Sequence, residues 1–484
     1  MRKRFETQLS LEQIAIEKVV IPLKSRDELP PTLAGLQWIF STPQINEQVF
    51  ELLEAKVIAG KKQTGRPGMD LWQILVLGVC RMALDCNYDR LEDMANHHSL
   101  LRQIMGLPAV SEEDSQFHYK TLSENVCHVD EVLLEKINEI VVMHGRAAIK
   151  KNAVKIEAKT DSYVLETNVH FPTDVNLLWD AARKSIELLS RLCDEVGVEG
   201  WRKAKHWKTT IKGLMRQLQQ AGRGGKNRQQ RQQKSAREYI AKATELSHKV
   251  RENIHQVERV CHDPLQLIRL EQIRYFASML DKHIDLLQRR VLKEETIAHE
   301  EKVFSLFEEH TEWIAKGKMR PPVELGHKIL VTTDQHGLVL DYKVMEKSTD
   351  NQELVPLVER LLERFGVDAV QSLSMDKGFS DMTKLEALEK KIPMVVMPKK
   401  GRRNQVEEER ETSRQFKKLK HRHAAIESNI NALEHHGLNR CPDKGLSGYK
   451  RYVGLGVLAY NLHRIGRALL EKQRQASERT KKAA

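Results

Sequence analysis

The sequence predicts an α/β protein in which an all-helical insertion interrupts a mixed sheet and an N-terminal helical segment precedes it. Apolar and polar residues alternate from Val154 to Asp161, as they do in strands, whose side chains point to opposite faces in turn. The alternation returns over residues 326–345, where an Asp-Gln-His-Gly turn predicts a hairpin. From about 181 to 320 the apolar spacing is helical. Strands on both sides of a helical stretch indicate one sheet split by an insertion.

The remaining elements follow from the same two periodicities. A second strand is expected from Tyr163, and a long helix after Pro264 predicts a helical hairpin or antiparallel coiled coil. After the hairpin we expect a helix over 351–365, the strand DAVQSLSMD, a helix over about 380–391, the strand PMVVMPKK and a long helix containing RHAAIESNINALEHHG. The predicted segments are 1–150 (helical, DNA-binding or dimerisation), 151–182 (first part of the core), 183–323 (basic insertion), 324–466 (second part of the core) and 467–484 (basic tail).

The N-terminal segment contains three short predicted helices in succession. The first begins after Asp70, a candidate N-cap, and the others begin at about Tyr88 and Ser99. This succession suits a helix-turn-helix DNA reader, but a helical cap or dimerisation bundle fits the spacing equally well. The candidate DNA-contacting residues here are Arg81, Arg90 and Arg102.

Composition narrows the class of protein. A chain of 484 residues is expected to form two or three domains. Its six cysteines have no paired metal-binding spacing, and the mean hydropathy is −0.52, so we expect a soluble cytoplasmic protein with free thiols rather than a secreted or membrane protein. The net charge of +12 favours a polyanionic partner.

The positive charge is concentrated in the predicted insertion. Residues 201–240 hold twelve lysines and arginines and one acid, Glu238. The stretch AGRGGKNRQQRQQKSAR has no apolar face, which predicts a mobile basic loop or helix end. We expect it to contact nucleic-acid backbone, with a solvated surface as the alternative. The candidates are Lys203, Lys205, Lys208, Arg223, Lys226, Arg228 and Arg231.

Three acids stand where packing does not require them. Asp161 and Asp376 follow strand patterns, and Glu427 lies within a helix. Strand ends at one edge of such a sheet lie side by side, and a helix across that edge can add a third carboxylate. Three carboxylates repel one another unless a cation lies among them, which predicts Mg²⁺ or Mn²⁺. Two such ions about 4 Å apart would suit an in-line displacement at phosphorus.

Each acid also has an ordinary interpretation. An aspartate before Lys-Gly, as at Asp376, commonly forms a turn. The sequence contains no HExxH and no GxxxxGK[ST], which argues against a zinc hydrolase and an NTPase. The rivals are Asp174, Glu166 and Glu157 for Asp161, and Glu434 for Glu427.

Four stretches together resemble one family. They are TGRPGMDLWQILVLGVCRMALDCNYDRLEDMANHHSLLRQIMGL, TDSYVLETNVHFPTDVNLLWD, GHKILVTTDQHGLVLDYKVMEKSTDNQELVPLVERL with SMDKGFSD, and HAAIESNINALEHHGLNRCPDKGLSGYKRYVGLGVLAYNL. The chain resembles bacterial insertion-sequence transposases of the DDE class, of the IS5-like and ISNCY-type groups. The resemblance implies an RNase H-like core in which Asp161, Asp376 and Glu427 bind Mg²⁺ or Mn²⁺, with two ions expected.

The resemblance also implies partners and a reaction. Such an enzyme binds the terminal inverted repeats of its element, hydrolyses a phosphodiester to free a 3′-hydroxyl and joins that end to target DNA, as a homodimer or higher oligomer. A bacterial protein associated with the nucleoid when bound to DNA is expected. The alternatives are an RNase H-fold nuclease or resolvase and a catalytically inactive DNA-binding relic.

The sequence departs from the family pattern at one place. Related groups carry Y-(2)-R-(3)-E-(6)-K around the glutamate, and here Lys420, His423 and Glu434 occupy the other three positions. Arg422 is displaced by one residue, so Lys420 or Arg422 is the expected substitute for phosphate contact. Further candidates for contact with the DNA backbone near the active site are Lys399, Lys400, Arg402 and Arg403.

Overall fold

The computed structural model describes residues 2–6, 13–60, 68–111, 116–150, 155–315 and 323–483. The chain forms two compact units, one made of Met1–Asn168 with Ile314–Ala484 and the other of Val169–Trp313. The helical unit therefore begins and ends earlier than the predicted 183–323. Val154, which the alternation places in the first strand, lies outside the described residues.

The first unit contains a mixed seven-stranded sheet. Its main path runs in the order β2-β3-β1-β5-β6, with β4 paired to β3 and β7 paired to β1. The pairs β1–β3 and β3–β4 are antiparallel, whereas β1–β5, β5–β6 and β1–β7 are parallel. The strands are β1 (Ile156–Thr167), β2 (Glu312–Ala315), β3 (Val323–Thr333), β4 (Val339–Val344), β5 (Val370–Met375), β6 (Met394–Val396) and β7 (Arg440–Cys441).

The central strand β1 is longer than the sequence pattern suggested. We expected the strand to end at Asp161 and another to follow from Tyr163, but a single strand continues to Thr167. Its pairing with β3 is unbroken from Lys159 to Glu166, so the chain has no reason to turn at Asp161. The two strands approach closely at Gly326, where an added Cβ would lie 2.0 Å from the carbonyl oxygen of Leu165.

Seven helices precede β1 among the described residues. Three of them begin at Leu71, Tyr88 and Ser99, in agreement with the sequence pattern. The helices are α1 (Leu29–Ser41), α2 (Pro43–Val57), α3 (Leu71–Ala83), α4 (Tyr88–His97), α5 (Ser99–Ile104), α6 (Tyr119–Val126) and α7 (Glu131–Ile149).

The second unit is helical and has its own apolar core. Buried residues such as Leu178, Ile211, Tyr239 and Ile273 come from four different helices. The long helix after Pro264 packs against the first helix of this unit. The described part of the unit therefore packs four long helices together. The apolar spacing after Pro264 had predicted only a helical hairpin or an antiparallel coiled coil. The helices are α8 (Asp174–Val196), α9 (Ala204–Ala221), α10 (Arg228–Glu258) and α11 (Pro264–Leu287).

The rest of the chain returns to the first unit. The long helix predicted after the last strand is three helices, because the chain breaks at Ser413 and Ala424. Ser413 caps the middle helix by accepting a hydrogen bond from the Phe416 amide at 3.3 Å. The helices are α12 (Asp350–Phe365), α13 (Met382–Glu389), α14 (Gln405–Thr412), α15 (Arg414–His423), α16 (Ala425–Leu433) and α17 (Gly445–Ala483).

The two faces of the sheet contact different helices. Tyr163, Leu165 and Ile329 belong to one core with the N-terminal helices and α17. Ile156 and Leu330 belong to another core, with α12 and α13. Residues 1–150 therefore share their core with the sheet, and their role in DNA binding or dimerisation stays a prediction. No described helix is both long and apolar enough to cross a membrane.

Helices α1 and α17 pack closely through two glycines. A Cβ added to Gly466 would lie 1.8 Å from the carbonyl oxygen of Pro31, and one added to Gly35 would lie 2.3 Å from that of Leu462. Both obstacles are backbone atoms, which cannot move without shifting a helix. Any side chain at either position therefore separates the N-terminal helices from α17.

We predict that Gly466→Ala lowers the free energy of unfolding by about 2–3 kcal/mol, because the methyl group forces α1 away from α17. Urea denaturation followed by circular dichroism measures the loss. Gly145→Ala is the matched control, since the nearest atoms to its Cβ belong to the side chains of Ile465 and Trp38 rather than to backbone, and a side chain can change rotamer. Equal losses in the two variants would show that the close backbone approach is not a constraint.

Candidate active site

The register of β1 and β5 places two of the predicted acids next to each other. The last parallel pair is Thr160 with Met375, so Asp161 and Asp376 are the next residues along the two strands. Lys159 pairs with Ser374 one step earlier. Because faces alternate along a strand, Lys159 and Asp161 share one face of the sheet, with Ser374 and Asp376 beside them.

Asp376 leaves β5 in a sharp turn. Its carboxylate accepts a hydrogen bond from the Gly378 amide and caps the single 3-10 turn Lys377–Phe379. Phe379 is buried and anchors that turn, whereas Asp376 is exposed. Asp376 can therefore be both a turn residue and a candidate metal ligand, because the turn fixes the position of its carboxylate beside β1.

Glu427 is carried by α16, which packs on β1 and β3. Asn429 holds this helix to the sheet, because its side-chain amide donates to the Thr333 hydroxyl at 3.1 Å. Ile426 and Leu433 are fully buried on the same helix, and Glu427 is exposed. Thr333 pairs with Lys159 of β1, so this anchor lies close in register to Asp161.

The electrostatics of Asp161 link the three acids. The pKa of Asp161 is raised to about 6, mainly by burial and in addition by the negative charges of Asp376, Asp350 and Glu427, against a backbone hydrogen bond from Ser162 that lowers it. Asp376 and Glu427 therefore lie close enough to act on the Asp161 carboxyl. The arrangement is a set of acids that repel one another, two of them on the adjacent interior strands β1 and β5 or directly after them.

Asp350 is a fourth acid that sequence reasoning missed. It begins α12, where its Oδ1 accepts from the Ser162 hydroxyl at 2.7 Å and its Oδ2 accepts from Lys328 Nζ at 2.8 Å. Ser162 also donates its amide to Asp161 Oδ1 at 2.8 Å, so one residue connects the two carboxylates. In the sequence Asp350 looks only like a first-turn helix acid, and no nearby residue indicates its contact with Ser162, which is 188 residues away.

The donor chemistry of these acids fits a divalent cation. Carboxylate oxygens are the preferred ligands of Mg²⁺ and Mn²⁺, and a cation would offset the repulsion that raises the pKa of Asp161. Within the described ranges, no three His, Cys, Asp or Glu side chains already form a cluster that could hold a metal. Ligation would therefore require side-chain adjustment when the cation binds.

The rivals of the three acids have other partners. Asp174 begins α8, where Arg290 Nε lies 3.0 Å from its Oδ2. Glu157 forms an ion pair with Arg422 at 2.5 Å. Glu434 follows α16, and its charge adds to burial in raising the pKa of the Tyr163 hydroxyl.

A basic cleft of about 800 Å³ lies beside the acids in the first unit. Lys155 and Lys159 line it from the start of β1, and Arg422 lines it from α15. Arg422 is exposed and meets Glu157 at the same cleft, so the residue expected to contact phosphate already has an acidic partner. Lys420, the other expected substitute, is exposed.

Two of the three N-terminal arginines are not available to DNA. Arg81 is 3% exposed and forms an ion pair with Asp443 at 2.6 Å, and Arg102 is 1% exposed and donates to the carbonyls of Pro108 and Ala95. Their guanidinium groups stabilise the helical part of the first unit. The expectation that they contact DNA is therefore corrected by their burial, and Arg90 is the exposed member of the set.

The cations of the helical unit are largely exposed. Lys208 is half-buried and lies 3.6 Å from Glu187. The predicted mobile stretch is mostly helix, since α9 ends at Ala221 and α10 begins at Arg228. The exposed candidates are Lys203, Lys205, Arg223, Lys226, Arg228 and Arg231.

The basic residues after β6 divide into paired and exposed groups. Lys399 Nζ lies 2.6 Å from Glu407, and Arg403 Nε lies 3.0 Å from Glu411. Both charges are already compensated by α14. Lys400 and Arg402 are exposed and are the stronger candidates for contact with a phosphate.

Comparison with known families identifies the class. Residues 292–462 match the family model described as the transposase DDE domain. Over residues 292–462 the chain is similar to DDE transposase domains. The matched stretch contains Asp376 and Glu427, while Asp161 precedes it. No curated protein and no solved structure matches the chain. The IS5-like and ISNCY-type grouping stays a prediction.

We predict that Asp161→Asn stabilises the protein at pH 7 in the presence of a chelator by about 1–2 kcal/mol, after allowing for partial exposure of the carboxyl. The folded pKa of about 6 exceeds the usual value of 3.8, so the folded state binds more protons between these limits and wild-type stability falls as pH rises through them.

Thermal unfolding from pH 4 to 7 tests this expectation. The wild-type curve should fall between about pH 4 and 6, and that contribution should be missing from the variant. Asp443→Asn is a useful contrast, because it removes the partner of buried Arg81 and should destabilise the protein. If Asp161→Asn were less stable than wild type at pH 7, burial and repulsion could not be destabilising the charged form of Asp161.

Proposed function

We propose that this protein is a DDE transposase that binds the terminal inverted repeats of its element, cleaves DNA and transfers the freed 3′ end to target DNA. The observation that supports this most strongly is the register of β1 and β5, which brings Asp161 beside Asp376 in a chain that is similar to DDE transposase domains over residues 292–462. Glu427, on a helix anchored across the same strands, acts on the same carboxyl. An RNase H-like core is part of this proposal.

Asp161, Asp376 and Glu427 are the residues that would hold two Mg²⁺ or Mn²⁺ ions. When bound, such ions activate the attacking oxygen and stabilise the leaving oxygen of an in-line displacement at phosphorus. The protein contributes positioning. Ser162 orients Asp161 through its amide, and the capped turn at Gly378 orients Asp376. No side-chain nucleophile is required.

DNA would be held by exposed cations on both units. In the first unit these are Lys155 in the basic cleft and Lys400 and Arg402 after β6. In the helical unit they are the unpaired cations of α9, α10 and the loop between them. Joining two element ends requires that two active sites act together, so a homodimer or higher oligomer is part of the proposal.

We predict that Asp376→Asn abolishes strand cleavage and leaves binding of the element end within about twofold of wild type. The variant removes a cation ligand without removing a phosphate contact. The assay incubates the purified protein with a labelled inverted-repeat end and Mg²⁺, and resolves bound, nicked and joined DNA.

Asp368→Asn is the matched control, because Asp368 precedes β5 on the same connection and belongs to neither the acid set nor the basic cleft. Cleavage by Asp376→Asn at the wild-type rate would overturn the acid assignment. Wild-type nicking without joined product would indicate a nuclease or resolvase. Binding without nicking by the wild type would indicate an inactive relic.

We predict that neutralising Arg223, Lys226, Arg228 and Arg231 together reduces the slope of log affinity against log salt by up to about 3–4, since each phosphate contact contributes about 0.9 to that slope. All four side chains are exposed. Fluorescence anisotropy of a labelled DNA end at 50–200 mM salt, on the order of physiological strength, measures the slope.

A matched control neutralises Arg251, Arg269 and Arg274 of the same unit. These arginines already meet Asp281, Glu195 and Glu258 in ion pairs, so their removal should change the slope little. An unchanged slope in the fourfold variant would show that this stretch is a solvated surface that does not contact DNA.

A further inference from the structure

His423 occupies the position at which related transposases carry an arginine, four residues before Glu427. It is the last residue of α15, which packs on β5 and β6. Its ring is largely withdrawn from solvent and lies near the charges of Asp376, Glu427 and Lys159. A histidine is therefore directed to the same face of the sheet as the catalytic acids.

The hydrogen bonds of Ser374 are compatible with a proton on Nδ1 of His423. The Ser374 hydroxyl donates its single hydrogen to the carbonyl of Ala158 at 3.3 Å. His423 Nδ1 lies 3.3 Å from the same hydroxyl oxygen. With the Ser374 hydrogen on that carbonyl, the hydroxyl oxygen accepts from Nδ1–H, and the lone pair of the neutral ring lies on Nε2; this is the tautomer that the proposal below requires.

This arrangement matches that of a ligating histidine. Histidines that bind metals usually donate their other ring N–H to a fixed acceptor, which sets the tautomer and the ring orientation. Burial lowers the pKa of His423, against the neighbouring acids that raise it, and this favours the neutral ring. Ser374 is itself 3% exposed and belongs to β5, so the acceptor is rigid.

We propose that Nε2 of His423 becomes a nitrogen ligand of the cation held by Asp376 and Glu427 once the side chains adjust on binding, since as they stand no three such side chains of the described residues form a metal-holding cluster. This inference rests on the proposed function, because it requires a cation at those acids. Mg²⁺ strongly prefers oxygen ligands, whereas an imidazole nitrogen suits transition-metal ions. His423 therefore shifts the preference of this site from Mg²⁺ toward Mn²⁺.

The test compares cation binding by the full chain rather than activity. Chelator-treated protein is titrated with Mg²⁺ or Mn²⁺, and the rise in Tm gives the midpoint of binding for each ion. In the wild type the midpoint for Mn²⁺ should lie at a lower ion concentration than the midpoint for Mg²⁺. In His423→Ala the Mn²⁺ midpoint should rise about tenfold or more, and the Mg²⁺ midpoint should change much less.

Two further variants separate ligation from a purely structural role. His423→Asn retains an N–H that can donate to Ser374 but lacks Nε2, so it should behave like His423→Ala. His421→Ala removes an exposed histidine of the same helix and should leave both midpoints unchanged. Pulsed electron paramagnetic resonance of bound Mn²⁺ should show nitrogen coupling in wild type and lose it in His423→Asn.

Each outcome decides the proposal. Retention of the Mn²⁺ preference in His423→Asn, or the absence of nitrogen coupling in wild type, would show that His423 is not a ligand. Asp376→Asn tests the underlying site separately. Cation-dependent stabilisation that survives Asp376→Asn would overturn the proposed metal centre itself, whereas its loss there with full retention in His423→Ala would overturn only the inference about His423.

Discussion

The hydrogen-bond ladder joins β1 to β3 on one side and to β5 on the other. It positions the candidate acids and the serines that contact their neighbours. It aligns Asp161 with Asp376 by register, and it assigns Asp161 and Ser162 to opposite faces. One face then meets α16 with Glu427, and the other meets α12 with Asp350. A shift of one residue in this ladder would exchange the faces and separate the acids.

Much of this arrangement could be predicted from the sequence. Period-two alternation identified the hairpin β3–β4, and capping and apolar spacing located the starts of α3, α4 and α5. The acids were singled out because strand packing does not require them. The length of β1 could not be predicted in this way, because its second half is held by pairing with distant residues of β3.

Burial was the main quantity that the sequence could not supply. Arg81 and Arg102 look like exposed cations in a short helical motif, but each is enclosed by residues from elsewhere in the fold, Asp443 in the case of Arg81. The contacts of Asp350 and His423 were missed for the same reason. They are made with Ser162 and Ser374, which are far from them in the chain.

The placement of the helical unit within the sheet also affects how the protein is made. The ribosome completes β1 and then all of Val169–Trp313 before it produces either β3 or β5, the two strands that pair with most of β1. The helical unit has its own core and can fold early. During that interval the central strand has no strand partners, and its unpaired backbone exposes the nascent chain to misassociation.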